Sequence, residues 1–343
     1  MGVDLADIIP KRNIRLEDLS GKVIAIDAYN ALYQYLSAIR QADGSPLMNR
    51  HGQITSHLSG LFYRTINLVE LGIKPVYVFD GKPPSLKQKE LERRKQLKEE
   101  AEEKYKEAYE KGELREAKSY AMRAVRLTDE MVEDSKKLLS LMGIPYVQSP
   151  SEGEAQAAYL AKNNDAWAAA SQDYDSLLYG APRLVRNLTI SGKRKLPKSD
   201  AYFEISPELI ILQEVLSSLK INQEQLIEIG ILIGTDYNPE GFEGIGPKKA
   251  LHLITTYGNI KKVLISQNLQ YKEEYEKIKK MFLEPEVNKN YKLEWNHLDE
   301  KGIIDFLCGE KDFSEERVKN AIQRLKSASI YRRGQTGLEA WFS

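Results

Sequence analysis

Four aspartates follow short apolar runs of the sequence: Asp27, Asp80, and the pair Asp173 and Asp175. Sites in open α/β sheets form beyond the carboxyl ends of the strands, so these carboxylates would converge on one edge. Acids gathered so closely repel one another unless cations neutralise them, and Mg²⁺ or Mn²⁺ prefers carboxylate oxygen. Asp also ends strands because it favours turns, but three such ends together favour a metal site.

Three further acids lie where helices are predicted to begin or end. Glu152 and Glu154 have an ordinary explanation, because Ser151-x-x-Glu154 is a capping box and a first helical turn favours Glu. Asp236 follows an apolar helix, where the helix dipole disfavours an acid. Seven acids around one or two divalent ions would suit phosphodiester hydrolysis. One metal activates water, and a pair about 4 Å apart stabilises the attacking and leaving oxygens.

The elements that would position these acids follow from hydrophobic periodicity. Apolar runs at 22–27, 75–80 and 166–171 predict strands buried on both faces, and apolar spacing predicts helices over 56–71 and 152–162. Strand, helix and strand form a βαβ unit. The fold class is therefore α/β, with a central, largely parallel sheet flanked by helices.

Residues 85–126 differ from their surroundings, because 23 of these 42 residues are charged and few are apolar. Such a segment is typical of a long solvated helix or hairpin that stands off the core. Further helices are predicted over 128–142, 207–219 and 224–233. After about residue 259 the pattern is helical and polar throughout.

Three basic tracts surround the acidic centre. Residues 87–98 hold six basic and two acidic side chains, and 183–198 holds six basic and none acidic. Gly244-Ile-Gly246-Pro-Lys248-Lys249 offers free helix N–H groups and two lysines to a phosphate, although an ordinary helix–turn–helix corner explains it equally well. A solvated loop is the alternative for 183–198. Together the tracts suit a polyanion held by its backbone.

Composition excludes several classes of protein. The 343 residues are 42% hydrophobic, with 50 basic and 50 acidic side chains, which indicates a globular chain whose net charge is uninformative. One cysteine and four scattered histidines exclude a disulfide framework and a multi-cysteine zinc site. No apolar run is long enough to span a bilayer, and the first residues are charged rather than apolar. We expect a cytoplasmic protein that does not contact membranes, with any metal held by oxygen.

Taken together, these segments resemble the flap endonucleases, structure-specific 5′ nucleases related to XPG, in their archaeal form. The resemblance covers nearly the whole chain. Its most specific stretches are Met1-Gly2-Val3, Ile26-Asp27-Ala28, Tyr77-Val-Phe-Asp-Gly-Lys-Pro-Pro84, Ser151-Glu-Gly-Glu-Ala-Gln-Ala157, Ser171-Gln-Asp-Tyr-Asp-Ser176, Gly234-Thr-Asp-Tyr237 and Gly244-Ile-Gly-Pro-Lys-Lys249.

The resemblance implies a PIN-like nuclease core with a helical arch insertion and a helix–two-turn–helix element that binds DNA. The implied regions are an N-terminal nuclease region at 1–98, the arch at 85–126, an internal nuclease region with the helix–two-turn–helix at 127–258, a C-terminal helical region at 259–331 and a tail at 332–343.

The resemblance also assigns roles to individual residues. It makes all seven acids the ligands of two Mg²⁺ ions, for which Mn²⁺ can substitute, and it places Lys87 and Arg94 at the base of the arch to draw the scissile phosphate to the metals. Tyr33 matches an aromatic that stacks near the cleavage point. The other implied DNA contacts are Gly2, Arg40, Arg64 and, in a helix–two-turn–helix with a bound K⁺, Gly244, Gly246, Lys248 and Lys249.

One residue departs from the family pattern. Glu243 lies directly before Gly244, where the family suggests a basic side chain. An acid at this position weakens the attraction of the turn for phosphate.

The last residues have the spacing of a peptide that binds a sliding clamp. In Gln335-Thr-Gly-Leu338-Glu-Ala-Trp341-Phe342, the leucine and the two aromatics would fill an apolar pocket of the clamp, PCNA, while Gln335 reaches a second pocket. A disordered end with incidental aromatics is the alternative, but it leaves two bulky aromatics without a partner.

The function expected from this resemblance is that of a Mg²⁺-dependent 5′ flap endonuclease with 5′–3′ exonuclease activity. It would be a nucleoid-associated monomer that cuts branched DNA at the flap base during Okazaki fragment maturation and base excision repair. Two alternatives remain open at this point. One is a phosphohydrolase with Asp173 and Asp175 as a DxD nucleophile pair, although that pair normally lies on the first strand of its domain. The other is a clamp adaptor that binds junctions and whose acids are structural.

Overall fold

A computed structural model describes residues 2–41, 44–190, 192–195 and 202–328. The tail expected to bind a clamp lies outside these residues, and so does part of the basic tract at 183–198. Within the described ranges, no helix is both long enough and apolar enough to cross a membrane.

A seven-stranded sheet forms the centre of the fold, with the strand order β1, β9, β6, β5, β2, β3, β4. The strands β2 to β6 run parallel, and β9 and β1 add an antiparallel edge. A separate hairpin is formed by β7 and β8. The strands are β1 Arg12–Asn13, β2 Val23–Asp27, β3 Lys74–Phe79, β4 Tyr146–Gln148, β5 Ala168–Ala170, β6 Arg183–Arg186, β7 Gly192–Lys195, β8 Tyr202–Ile205 and β9 Glu208–Ile211.

Helices cover both faces of the sheet, as expected for strands that are apolar on both sides. They are α1 Ala28–Ala38, α2 Ser56–Glu70, α3 Gln88–Glu110, α4 Leu114–Arg123, α5 Asp129–Leu141, α6 Gly153–Lys162, α7 Asp175–Leu178, α8 Leu212–Leu219, α9 Gln223–Ile233, α10 Pro247–Tyr257, α11 Ile260–Ser266, α12 Glu274–Leu283, α13 Glu300–Ile304 and α14 Glu315–Ser327. Short 3₁₀ turns and a π-helical segment at Asp305–Glu310 complete the regular structure.

The hydrophobic core has two halves, one on each face of the sheet. Ile24 and Ile26 of β2 point into the half formed with α1, α2, α5 and α14. Ala25, between them, points into the half formed with α6, α9, α10 and α12. This alternation is the two-residue period of a strand. It confirms the expectation of an α/β core with a largely parallel sheet.

Strand register brings the sequence-predicted acids to one edge. Asp27 is paired with Val78 across β2 and β3, and Ile26 is paired with Ala170 across β2 and β5. The three strands therefore end at the same level, and the residues that follow them emerge side by side. The charged segment forms a helical hairpin, α3 and α4, above this edge. Few of the residues described in these two helices are buried.

Two sequence predictions of secondary structure are wrong. The apolar run at 207–219 begins with strand β9, which pairs with β6, and only its second half is helix α8. The chain after 259 is not helical throughout, because residues 285–298 form an irregular strap. The backbone of Asn288 exchanges two hydrogen bonds with the side chain of Gln156, and Trp295 Nε1 donates to the carbonyl of Pro75. These pairings are distant in sequence, so local periodicity does not report them.

Gly81 provides a test of how the loops at the sheet edge pack. Its N–H donates to the Ser151 carbonyl at 2.6 Å, and a Cβ would lie 2.2 Å from the Ser149 carbonyl oxygen. We predict that Gly81→Ala lowers the free energy of unfolding by about 1 to 3 kcal/mol, because the backbone must move apart. Denaturant unfolding in EDTA measures this. The matched control is Gly309→Ala, where a Cβ meets nothing within 4 Å, and equal stability of the two variants would contradict the prediction.

Candidate active site

Two of the acids are fixed by the ends of strands and the starts of helices. Asp27 ends β2 and caps α1, since its Oδ1 accepts the N–H of Asn30 at 3.0 Å. Asp80 directly follows β3, and its Oδ1 accepts the N–H of Gly153 at 2.6 Å. Because Gly153 begins α6, this bond ties the end of a strand to the positive end of a helix dipole.

Glu152 and Glu154 lie at the same helix start, but no capping box forms there. Glu152 is itself the N-cap residue, and its side chain makes no capping hydrogen bond. Glu154 Oε1 accepts from Ser171 Oγ at 2.8 Å, at the end of β5. The capping box expected from Ser151 and Glu154 is therefore wrong, although Glu154 does lie in the first turn of the helix. The side chains of Glu152 and Glu154 instead bind Lys87 and Ser171.

The loop after β5 supplies the next two acids. Asp173 Oδ2 accepts from Asn30 Nδ2 at 3.4 Å. Asp175 begins α7, and its Oδ1 accepts the N–H of Val3 at 2.8 Å. Gly2 lies against the same carboxylate, since a Cβ there would be 2.5 Å from Asp175 Oδ2. Gly2 and Val3 are thus packed at the site.

Asp236 completes the set from the loop after α9. Its Oδ1 accepts from Arg94 Nη2 at 2.5 Å, and its Oδ2 is 3.1 Å from Lys87 Nζ. Lys87 Nζ also donates to Glu152 Oε2 at 2.5 Å. The two basic side chains at the base of the hairpin are therefore bound directly to the acidic cluster.

Burial and mutual repulsion raise the pKa of four of these carboxyls. Burial, then Asp80, raises the pKa of Asp27 to about 8. Burial, then Glu152, raises the pKa of Asp80 to about 6, and burial, then Asp236, raises the pKa of Asp175 to about 7. The pKa of Glu154 rises well above its usual range through burial and then Asp175. These acids resist ionising together unless cations join them.

The donor set fits hard divalent cations. Every candidate ligand is a carboxylate oxygen, which suits Mg²⁺ or Mn²⁺. Across the described ranges, no three acid, histidine or cysteine side chains form a ready-made metal site. Lys87 and Arg94 supply positive charge instead. Although burial opposes it, Glu152 and then Asp236 raise the pKa of Lys87, so it is fully charged.

A cavity of about 1860 Å³ opens between the hairpin and the sheet edge. Six of the seven acids line it, and the seventh, Asp175, is buried. Tyr33, Arg40 and Arg64 line the same cavity. Lys98 Nζ donates to the Tyr33 hydroxyl at 3.1 Å and lies 4.6 Å from the centre of its ring.

The chain is closely similar to known proteins over its whole length. It is 61% identical to flap endonuclease 1 of Pyrococcus furiosus over 342 residues, covering 100% of this chain and 99% of that protein. It is 58% identical to flap endonuclease 1 of Staphylothermus marinus, covering 100% of both chains. The chain belongs to the flap endonuclease 1 family.

Domain models and solved structures agree with this assignment. The XPG N-terminal domain model matches residues 1–101, and the XPG I-region model matches 143–236. The flap endonuclease-1 structure from Methanococcus jannaschii is 51% identical, with a TM-score of 0.76 over 97% of this chain and 100% of that one. The catalytic core of Rad2 in complex with DNA substrate shares the fold, at 24% identity and a TM-score of 0.72 over 95% of this chain and 100% of that chain.

The glycine-punctuated turn expected of a flap endonuclease lies outside the cavity. Gly244 has φ +72°, which glycine tolerates best, and Gly246 caps α10 with Pro247 in its first turn. Lys249 Nζ donates to the Gly244 carbonyl at 3.1 Å, and both Lys248 and Lys249 are exposed. The turn presents helix N–H groups and two exposed lysines beside the acidic Glu243.

Two basic residues that sequence reasoning directed toward DNA make internal bonds in this structure. The Arg40 guanidinium donates to the carbonyls of Ser37, Gly44 and Ala121, which attaches α1 to the hairpin helix α4. Arg186, within the basic tract, donates to the Gln172 carbonyl and the Tyr174 hydroxyl. Arg186 therefore supports the loop that carries Asp173 and Asp175.

Sequence reasoning missed the polar residues that orient the acids. Asn30 contacts Asp27 and Asp173, Ser171 contacts Glu154, and Glu90 binds Arg94. The available signals were weak: Asn30 follows Asp27 at helix-capping distance, and Glu90 and Arg94 have the spacing of a helical ion pair.

Asp175 tests whether the acidic cluster costs stability without metal. Its raised pKa means that the folded protein holds a proton which the unfolded chain, with a pKa of 3.8, has released, so metal-free stability falls as pH rises from about 4 to about 7. We predict that Asp175→Asn, which keeps an acceptor for Val3, melts a few degrees above wild type in EDTA at pH 8. Its stabilisation by Mg²⁺ should be lost.

The matched control is Asp4→Asn, an exposed aspartate that also accepts a backbone N–H, from Ala6. It should melt like wild type in EDTA and keep the full Mg²⁺ increment. Thermal melts of the three proteins, with and without Mg²⁺, decide the matter. If Asp175→Asn melts below wild type in EDTA, repulsion among the carboxylates does not dominate the effect of Asp175 on metal-free stability.

Proposed function

We propose that this chain is a Mg²⁺-dependent, structure-specific 5′ flap endonuclease with 5′–3′ exonuclease activity. The observation that carries this proposal is that six carboxylates and two basic side chains line one cavity beneath a helical hairpin, with a seventh carboxylate, Asp175, buried. Membership of the flap endonuclease 1 family supplies the reaction class. The Rad2 core named above was solved with a DNA substrate, and human GEN1, which has a similar fold, was solved with Holliday junction DNA, which supports a branched DNA substrate for this chain.

The proposed cofactors are two Mg²⁺ ions, with Mn²⁺ as a substitute; a related junction-resolving enzyme was solved with Mg²⁺ and Mn²⁺. The proposed ligands are Asp27, Asp80, Glu152, Glu154, Asp173, Asp175 and Asp236. When bound, such ions activate water and stabilise the charge that develops on a transferred phosphate. The hydrogen bonds to Asp27, Asp80, Glu154 and Asp175 hold these carboxylates in place before any ion arrives.

The basic residues at the hairpin base act on the substrate. Lys87 and Arg94 lie against Glu152 and Asp236 at the mouth of the site, so a phosphate approaching the acids meets two cations first. Their charge offsets the repulsion between a polyanion and the carboxylates. We infer that both side chains position the scissile phosphate and stabilise it during attack.

Other groups would hold the rest of the substrate. Tyr33 presents an aromatic ring inside the cavity, on which a base next to the cleavage point can stack. Gly2, Arg40 and Arg64 lie near the same path. The turn with Gly244, Gly246, Lys248 and Lys249, aided by a bound K⁺, would grip the duplex backbone at a distance from the cut.

Cleavage of a 5′-labelled flap duplex tests the proposal. Wild type should release product from the flap base with Mg²⁺ and none with EDTA, and Asp173→Ala should release none in either condition. Lys87→Ala should slow cleavage by about 10²-fold, since it removes one charge that stabilises the transition state. The matched control is Lys89→Ala, an exposed lysine on the same segment, which should retain most of the activity. An intact flap with Mg²⁺ and a bound duplex would support the adaptor alternative instead.

The C-terminal tail extends the proposal to a partner. We infer that Gln335, Leu338, Trp341 and Phe342 bind a sliding clamp of the PCNA class and recruit a monomeric enzyme to the nucleoid for Okazaki fragment maturation and base excision repair. We predict that Phe342→Ala lowers clamp affinity at least tenfold, because an aromatic anchor is lost from an apolar pocket. Calorimetry with the clamp measures this. Glu339 lies between the proposed anchor residues, so Glu339→Gln should bind the clamp with the affinity of wild type. Equal affinity of the two variants would contradict the proposed role of the motif in clamp binding.

A further inference from the structure

Glu90 is a buried carboxylate at the base of the hairpin, in the first turn of α3. Its residue is 2% exposed, although it lies on a helix that is otherwise mostly solvated. Both of its oxygens are used by arginines. Oε2 accepts from Arg93 Nε at 2.7 Å, and Oε1 accepts from Arg93 Nη2 at 2.8 Å and Arg94 Nε at 2.7 Å.

The bond to Arg94 fixes the orientation of its guanidinium. Glu90 accepts from Nε, while Nη2 of the same group donates to Asp236 Oδ1 at 2.5 Å. A guanidinium is planar and its donors have fixed directions, so a bond at Nε determines where the two Nη groups point. Glu90, Arg94 and Asp236 thus form a line that ends at the acidic cluster.

The charge of Glu90 by itself opposes the function of this site. A carboxylate one hydrogen bond from an arginine that attracts phosphate partly cancels that attraction, and burying it costs desolvation. The hydrogen bonds from Arg93 and Arg94 outweigh burial and lower the pKa of Glu90, so the charge is retained. The contribution of Glu90 to the site therefore comes from the orientation that it gives to Arg94 rather than from long-range electrostatics.

We propose that Glu90 is a positioning residue that holds Nε of Arg94 so that its Nη groups face the scissile phosphate. The inference rests on the proposed flap endonuclease function. It predicts a change in cleavage rate opposite to the change that simple electrostatics predicts. Removal of a repulsive acid would speed cleavage and tighten DNA binding, whereas removal of a positioning acid slows cleavage without weakening binding.

The experiment compares wild type, Glu90→Gln, Arg94→Ala and the double variant on one 5′-labelled flap duplex. Single-turnover rates are measured with Mg²⁺, and flap affinity is measured by anisotropy in EDTA. We expect Glu90→Gln to cleave about tenfold more slowly, because a misplaced group loses its benefit in the transition state. Its affinity in EDTA should equal or exceed that of wild type. In the Arg94→Ala background, Glu90→Gln should cause no further loss.

Controls separate this inference from the function on which it rests. Glu92→Gln, an exposed acid on the same helix, should cleave like wild type. If wild type fails to cut the flap, the proposed function fails. If wild type cuts and Glu90→Gln cuts equally fast or faster, or if it slows cleavage equally in the Arg94→Ala background, the positioning role is overturned.

A second variant tests the idea without altering Glu90, should Glu90→Gln melt far below wild type. Arg94→Lys keeps the charge but has one ammonium, which lacks the separate, fixed donors that serve Glu90 and the phosphate. We expect it to cleave at least about tenfold more slowly than wild type, close to Arg94→Ala. Cleavage by Arg94→Lys at the wild-type rate would show that orientation is irrelevant and would overturn the proposal.

Discussion

Repulsion among the clustered carboxylates is the constraint on which the rest of the site depends. Asp27, Asp80, Glu154 and Asp175 all have raised pKa values, so their convergence is unfavourable by itself. The fold opposes this with hydrogen bonds to the same groups from helix starts, Ser171 and the N-terminal backbone. These directed hydrogen bonds hold the carboxylate oxygens at positions from which their mutual repulsion would otherwise move them.

Close packing behind the cluster makes that arrangement rigid. Helix α6 buries small residues, Ala155, Ala157, Ala158 and Ala161, and β5 is Ala168–Ala170. Without bulky side chains between them, the helix and strand approach closely, and the acids at their ends approach as well. The close-packed core on both faces of the sheet offsets the stability that is lost to charge repulsion. The small alanine side chains of α6 and β5 therefore determine where the site forms as much as the acids do.

Sequence patterns predicted the centre of the fold and failed at its periphery. The strands within 22–27 and 75–80 are apolar between their ends because both of their faces are covered, and the sheet-edge rule then located the acids. The strand β9 and the strap at 285–298 depend on partners far away in sequence, so no local period marks them. Similarly, Asn30 and Glu90 are ordinary helix residues until the fold places Asp173 and Arg94 beside them.

Counts of basic residues overstate the positive charge that this surface offers to DNA. Arg40 and Arg186 donate to internal acceptors, and Lys87 and Arg94 are paired with the acids. With 50 basic and 50 acidic side chains, the field at the cavity depends on which acids are neutralised. Divalent ions bound to the carboxylates would take over that neutralisation and leave Lys87 and Arg94 available to phosphate. On the proposed function, the same pairing of Lys87 and Arg94 with the acids would couple metal binding by the acidic cluster to attraction of the substrate.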